Sequence, residues 1–285
     1  MKQNIVVLYH GDCRDGFSGA WAAWKKFGKK ASYYGLQYGI NSSVKLPEGI
    51  KNKVVYIIDF GLKEGRQMED LVKANKKVVV LDHHHGATKK AKLATEYRSQ
   101  MNHSGAVITW QYFHTDKPVP QFFKYVEDLD IWRHSLPHTF AVSTYVDLFN
   151  FDFNVWSMLV KRFENKKSLA KIFEQGKLIL EYEDKKIKEL VDNHAELVNF
   201  LGHNVLAVNS LNWVSKIGNL LCRKKPPFGI IWSKRREYIS VSLRSKIGRF
   251  DVSKIAHKFG GGGHKAAARF SVKSIKGLPW KTLTQ

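Results

Sequence analysis

Residues 78–86 read VVVLDHHHG, a run of β-branched and apolar residues that stops at Asp82, His83, His84 and His85. A buried strand ending this way delivers a carboxylate and several imidazoles to one spot, and a strand tip is a rigid mount for chemistry, a metal site if the rest of the sequence supplies matching ligands. Two earlier apolar runs end alike. Residues 5–9 lead into His10 and then Asp15, and residues 54–58 lead into Asp59. In open parallel sheets ligands bind beyond the carboxyl ends of the strands, so these groups are expected to converge. A single Asp or His at a strand end commonly serves as a turn former or helix cap, and Asp59 taken alone reads equally well that way. Three successive strands with the same ending point instead to a shared site.

Asp15, Asp59 and Asp82 gathered at one edge would repel one another and raise one another's pKa unless a cation counters them. Carboxylates with one or two imidazoles and no established thiolate favour manganese, with magnesium as the alternative, over structural zinc. Two such ions about 3.5–4 Å apart would hold the attacking and leaving oxygens of a phosphoryl transfer.

The elements that must position these groups follow from the pattern around them. The apolar runs at 5–9, 54–59 and 78–82 are short and nearly continuous, as expected of strands covered on both faces of a parallel sheet. Residues 18–27 and 62–75 fit helices between them, and further helices are expected at 104–113 and 121–127. Over 168–200, Ile172, Leu178, Ile179, Tyr182, Ile187, Leu190, Val191, His194 and Leu197 recur mostly three or four apart among charges, which predicts one or two amphipathic helices. The pattern then restarts with strands at 205–208, 228–232 and 238–243, helices at 213–222 and 251–259, and a glycine run at 260–263. The expected fold is α/β: a parallel-sheet domain over 1–165, a helical connector over 166–200 and a smaller α/β domain over 201–285.

With 47 Lys and Arg against 25 Asp and Glu, the formal charge of +22 favours polyanionic partners such as nucleic acid or an anionic membrane surface, nucleic acid or a nucleotide being preferred. The two cysteines, Cys13 and Cys222, form no CxxC, so neither a disulfide framework nor a structural zinc site is indicated and a reducing cytoplasm fits. No apolar run approaches a signal-peptide core or a membrane span, so a soluble protein with no membrane partner is expected.

The stretches HGDCRDGFSGA (10–20), YIIDFG (56–61), VLDHHHG (80–86) and VEDLDIW (126–132) resemble, in order, motifs I to IV of the DHH phosphoesterase superfamily. LRSKIGRFDVSKIAHKFGGGGHKAAARF (243–270) is similar to the DHH-associated substrate-binding domain. The resemblance implies a two-metal phosphoesterase in which Asp59 bridges the ions. His10 would hold one ion, and Asp15, His83 and Asp128 the other. His84 would meet the scissile phosphate, and Asp82 would orient a ligand. Arg244, Ser245 and His264 would hold the terminal nucleotide of the substrate. Asp130 stands two residues beyond Asp128 and reads equally as a capping or orienting residue near Trp132.

The sequence departs from the pattern at Cys13, where most of the superfamily has an Asp two residues before Asp15. Either Cys13 is a soft ligand, or Asp12 reaches across, or the first metal site is weak; Cys13 also reads as a small packed residue. His85 and His103 acquire no role in the site and read as solvated or structural. At the other end Ala268 replaces the family's last glycine.

Gly261, Gly262 and Gly263 let backbone amides turn toward an anion as a nest, and the small residues after His264 suggest a helix whose N-terminus faces phosphate, a flexible linker being the alternative. Lys224, Lys225, Lys234, Arg235 and Arg236, interleaved with Trp213, Phe228 and Trp232, suit single-stranded nucleic acid, although the aromatics read equally as core. The expected activity is hydrolysis of phosphodiester or terminal phosphomonoester bonds in short single-stranded oligonucleotides or nucleotides. A polyphosphate or small-phosphate hydrolase and a nonenzymatic single-strand-binding protein are the alternatives.

Overall fold

The computed structural model describes residues 3–37, 44–62, 66–84 and 91–283, so His85 lies outside the described residues. The chain divides into two compact units, Met1–Leu180 and Glu181–Gln285.

In the first unit β1 (Ile5–His10), β2 (Ala31–Leu36), β3 (Val54–Ile58), β4 (Lys77–Leu81) and β5 (Glu96–Arg98) form a fully parallel sheet in the order β2-β1-β3-β4-β5. Alternate residues of the central strands supply two cores. Leu8, Val55, Ile57, Val78 and Val80 pack with Met68 and Leu71 of α2 (Gln67–Ala74). Val7, Ile58, Val79 and Leu81 pack with Ala23 of α1 (Arg14–Phe27) and with Ile108 and Phe113 of α3 (Gly105–Phe113). Burial of both sets is what makes these strands read as continuous apolar runs. No comparable pattern marks β2 or β5. They lie at the sheet edges, where β2 is only partly buried and β5 is the tripeptide EYR.

Because β1 sits between β2 and β3, the strand order reverses there, and the ends of β1 and β3 flank the crevice where such sheets bind ligands. α4 (Gln121–Asp130), α5 (Thr139–Val146) and α6 (Phe153–Glu164) complete the unit around an aromatic core that includes Phe17, Trp21, Trp110, Phe122 and Trp156. The Trp156 indole donates to Ser18 Oγ across 2.9 Å, so the polar edge of this buried ring is satisfied.

The amphipathic stretch is a single 29-residue helix, α7 (Lys166–His194), which ends before the expected limit of 200. Residues 196–200 are a strand, β6 (Glu196–Phe200), whose Val198 and Phe200 are buried on one face at period two. Leu197, which continues the three-or-four spacing of the preceding helix, lies on the other, partly buried face of this strand and matches the helical series by coincidence. The division between units falls within α7.

In the second unit β6 joins β7 (His203–Asn209), β8 (Phe228–Lys234), β9 (Ile239–Ser245), β10 (Gly262–His264), β11 (Ala267–Val272) and β12 (Lys281–Thr282) in a mixed sheet, ordered β10-β11-β9-β8-β7-β6-β12. Ile187 and Val191 of α7 pack with Ile217 and Leu221 of α8 (Val214–Lys224) and with Val208 and Ile231 of the sheet. Phe200, Phe228, Val241 and Phe270 pack with Val252 and Ile255 of α9 (Val252–Lys258). Among the described residues no helix is long and apolar enough to cross a membrane.

The glycine run does not open a helix. Gly262–His264 is β10, paired antiparallel with β11 so that Gly263 faces Ala268. The small residues serve close backbone packing: a β-carbon at Gly261 would stand 2.1 Å from the Arg269 carbonyl oxygen. Gly263 carries the further constraint of φ +143°. Gly261→Ala is therefore expected to destabilise the protein by about 1–3 kcal/mol, read as a lower denaturant midpoint with an unchanged slope.

Candidate metal centre

The ends of β1, β3 and β4 bring His10, Asp59, Asp82, His83 and His84 together, and α1 adds Asp15 from its first turn. Asp59 is at the centre. Its Oδ2 lies 3.4 Å from His10 Nδ1 and 3.6 Å from Cys13 Sγ. Its Oδ1 lies 3.3 Å from His83 Nε2 and 3.6 Å from His84 Nδ1. Each carboxylate oxygen thus faces a separate set of donors. The backbone of Asp59 is left-handed, φ +53°, and its N–H donates to the Leu81 carbonyl across 2.9 Å. The conformation turns the side chain off the strand, at a cost typical of functional sites.

Asp15 is held from another direction. Its two oxygens accept from the N–H groups of Gly105 and Ala106 at 2.7 and 2.9 Å, the first free donors of α3. Gly105 leaves room for this: a β-carbon there would lie 2.6 Å from Asp59 Cβ and 3.0 Å from Asp15 Oδ2. Glu127 fixes the same helix end by accepting from Ser104 N at 2.9 Å and contacting His103 Nδ1 at 3.0 Å, and Arg133 is bonded to its other oxygen at 2.8 Å. His103, without a role in the sequence, belongs to this support.

Asp82 is fully buried and its Oδ1 accepts from the backbone N–H groups of His83 and His84 at 2.8 and 3.2 Å. The same oxygen contacts His84 Nδ1 at 2.8 Å, so Asp82 fixes the loop and orients the His84 ring.

The structure separates Asp128 from Asp130. Asp128 stands outside the cluster and is saturated: Ser135 N and Oγ donate to it at 2.8 Å each, Leu136 N at 3.2 Å, and Thr139 Oγ1 as well. Asp130 stands in the position expected of Asp128, with Oδ2 3.3 Å from His83 Nε2, and it groups with Asp15 and His83. On α4, positions two apart point about 200° apart, so only one of the pair can face the site. The motif carries both, and the sequence has no signal for which. Asp12 is also turned away, its carboxylate accepting from Gln37, whereas Cys13 groups with His10 and Asp59.

In the second unit Ser245 is buried and its hydroxyl donates to the Phe250 carbonyl across 2.7 Å, so it closes a turn and has no hydroxyl proton to offer a ligand. Arg244 is half-buried, its guanidinium reaching Ser215 Oγ at 3.3 Å, and burial together with nearby Arg269 lowers its pKa. His264 is exposed at the end of β10.

Electrostatics in the cluster is unbalanced. Burial alone would raise Asp59, but contacts with His10 and His83 and the charge of His84 hold its carboxyl below the usual range. Burial pushes Asp15 well up, reinforced by Asp59 and Asp130. Asp130 is raised to about 6 by burial and then by Asp59. Burial works against charge on His84, yet Asp82, Asp59 and Asp130 carry it up to about 9. The Cys13 thiol is raised, by burial first and then by Asp59 and Asp15. The crowded carboxylates cannot all ionise without added positive charge.

Asp59 Oδ1, Asp82 Oδ2, His83 Nε2 and Asp130 Oδ2 are buried and without hydrogen-bond partners. Orphaned acceptors of this kind, converging from oxygen and imidazole donors, fit divalent cations.

No protein-family model matches the sequence. Uncharacterized protein R106 of Acanthamoeba polyphaga mimivirus is 33% identical over 300 residues, covering 97% of this chain and 69% of that protein. Oligoribonuclease NrnB of Bacillus subtilis (strain 168) is 26% identical over 290 residues, covering 93% of this chain and 72% of that one. Among solved structures, RecJ of Thermus thermophilus in complex with Mn2+ superposes with a TM-score of 0.52 at 10% identity, over 95% of this chain and 50% of RecJ. The chain belongs to the DHH phosphoesterase superfamily.

Asp130 gives a sign test on the metal-free protein. A carboxyl raised to about 6 in the fold keeps its proton where the unfolded chain has lost it. Stability in EDTA should therefore fall as the pH rises from about 4 to 6, by on the order of 2 kcal/mol. Asp130→Asn should flatten that fall, measured by urea unfolding across the range.

Proposed function

We propose that the protein is a divalent-metal-dependent phosphohydrolase that cleaves phosphodiester, or terminal phosphomonoester, bonds of short single-stranded oligonucleotides or nucleotides. The observation that carries this reading is Asp59, whose two oxygens face two donor sets and whose Oδ1 has no hydrogen-bond partner. In this reading His10, Cys13 and Asp59 hold one cation, and Asp15, Asp59, His83 and Asp130 hold the other. Manganese is the preferred ion and magnesium the alternative, as the oxygen-rich donor set suggests. When bound, the cations neutralise phosphate charge and lower the pKa of an attacking water.

The residues of the chain do the rest. His84, kept cationic by Asp82, donates a hydrogen bond to a non-bridging phosphate oxygen and stabilises the charge that gathers there in the transition state. Asp82 acts through His84 and the loop that carries it. In the second unit the Arg244 guanidinium, with Arg269 nearby, offers a bidentate fork to a substrate phosphate, and the glycine hairpin with His264 supports the terminal nucleotide. That the curated relative NrnB is an oligoribonuclease supports a short oligonucleotide over an inorganic phosphate as substrate.

The test is release of mononucleotide from labelled di- to pentanucleotides in manganese. Asp59→Ala should lose at least about a hundredfold in kcat/KM, more than loss of a residue that merely supports a ligand. Absence of turnover by the unmodified protein, alongside metal-independent single-strand binding, would reject the enzyme reading. Turnover of polyphosphate alone would move it to the inorganic substrate class.

Cys13 gives a readout independent of turnover. The cobalt-loaded protein should show a thiolate-to-metal absorption band in the near ultraviolet that Cys13→Ser removes, with cobalt still bound at the other position. An unchanged spectrum would assign Cys13 to packing.

A further inference from the structure

At the end of the second unit's sheet opposite to Arg244 lies an open pocket of about 340 Å³, formed by the β8–β9 turn and the segment after β11. Lys234, Arg235 and Arg236 line one side and Lys273 and Lys276 the other, with Glu237 as the acidic group among them. These five cations are exposed, and among the described residues none is ion-paired to a carboxylate. The turn is not loose: Arg235 N donates to the Tyr238 carbonyl across 2.7 Å, and Val272 pairs with Ile239, so the two sides are held in register. Tyr238 stands in the wall with 37% of its surface exposed, although Ile239 beside it is buried.

Five cations held together in a concave site against a single carboxylate focus a positive potential and favour a polyanion. A ring presented beside them offers a stacking surface for a base. A free phosphate would use the cations and leave the ring idle. We infer that this pocket is a second nucleic-acid site, which binds the phosphates and a base of a single strand away from the end that is hydrolysed. The inference rests on the oligonucleotide reading given above, and it adds a determinant of substrate length.

The register sets the scale. Arg244 pairs with Ala267 and Ile239 with Val272, so Tyr238 and Arg244 stand at opposite ends of β9. Six residues of strand span roughly 20 Å. At a stacked spacing of about 3.4 Å, on the order of six nucleotides are needed to reach both sites. Dinucleotides use only the Arg244 end.

The experiment uses the full chain. Affinity for a fluorescent 12-mer of single-stranded RNA is measured by anisotropy over a salt series, and dinucleotide turnover is measured in parallel. The combined variant Arg235→Glu, Arg236→Glu, Lys273→Glu should bind the 12-mer at least tenfold more weakly. The slope of log affinity against log salt should drop by about two, as three phosphate contacts on a single strand predict. Dinucleotide kcat/KM should not change.

Tyr238→Ala should weaken 12-mer binding about tenfold, as loss of one stacked base predicts, while binding of inorganic polyphosphate stays the same. Unchanged 12-mer affinity in the charge-reversal variant would overturn the inference. A Tyr238→Ala protein that keeps full 12-mer affinity would overturn the nucleic-acid assignment in favour of a general anion site. If no protein turns over the dinucleotide but the affinity losses persist, the pocket stands and the hydrolase reading falls.

Discussion

Mutual repulsion among carboxylates at the edge of the parallel sheet is the constraint around which the first unit is built. Asp15, Asp59, Asp82 and Asp130 are brought within reach of His10, His83 and His84 in surroundings that shed water. Such a cluster destabilises the fold unless its charge is met, and the structure meets it in part by several devices at once. The N-terminus of α3 takes Asp15, backbone amides take one oxygen of Asp82, and imidazoles take Asp59. What these leave over is a set of buried atoms without partners, aimed at the space between them. The surrounding support is stiff for the same reason. A left-handed Asp59, a helix end clamped by Glu127 and a glycine where any side chain would collide keep the charged groups from moving apart.

The two carboxylates at the end of α4 mark the difference between a structural and a reactive acid. Asp128 has its hydrogen-bonding capacity filled by Ser135, Leu136 and Thr139, and these bonds favour its ionised form, so its pKa is lowered despite burial. It ties the turn after α4 to the start of α5. Asp130, two residues away, has an orphan oxygen and a raised pKa. Both are aspartates in one motif on one helix. Only the number of donors that surround each tells them apart.

Much of the first unit was legible in the sequence because central parallel strands are buried on both faces and announce themselves as apolar runs. The residues at their ends, His10, Asp59, Asp82, His83 and His84, were legible because a strand fixes where its last residue goes. What depends on a helix was less so: the phase of α4 decides between Asp128 and Asp130, and nothing local records it. The glycine run misled for a related reason. Glycine permits both an anion nest and a tight hairpin, and the choice rests on β11 finding a partner in β9 through Phe270 and Val272, contacts made with residues some thirty positions earlier in the chain. Ser245 was matched by motif, yet its hydroxyl is spent on the Phe250 carbonyl. Edge strands such as β5 carry too little burial to leave a pattern.

The long helix α7 bears on how the protein could be taken apart. Its last turns supply Ile187 and Val191 to a core that otherwise consists of Val208, Ile217, Leu221 and Ile231. A fragment beginning at residue 201, where the sequence pattern restarts, would lack that cover and also the strand β6 at the sheet's edge. It would carry an apolar face into water and leave a neighbouring strand unpaired, two features that promote self-association. A fragment that begins inside the helix, near Glu181, would keep both, so the boundary suited to dissection lies in the middle of a regular element.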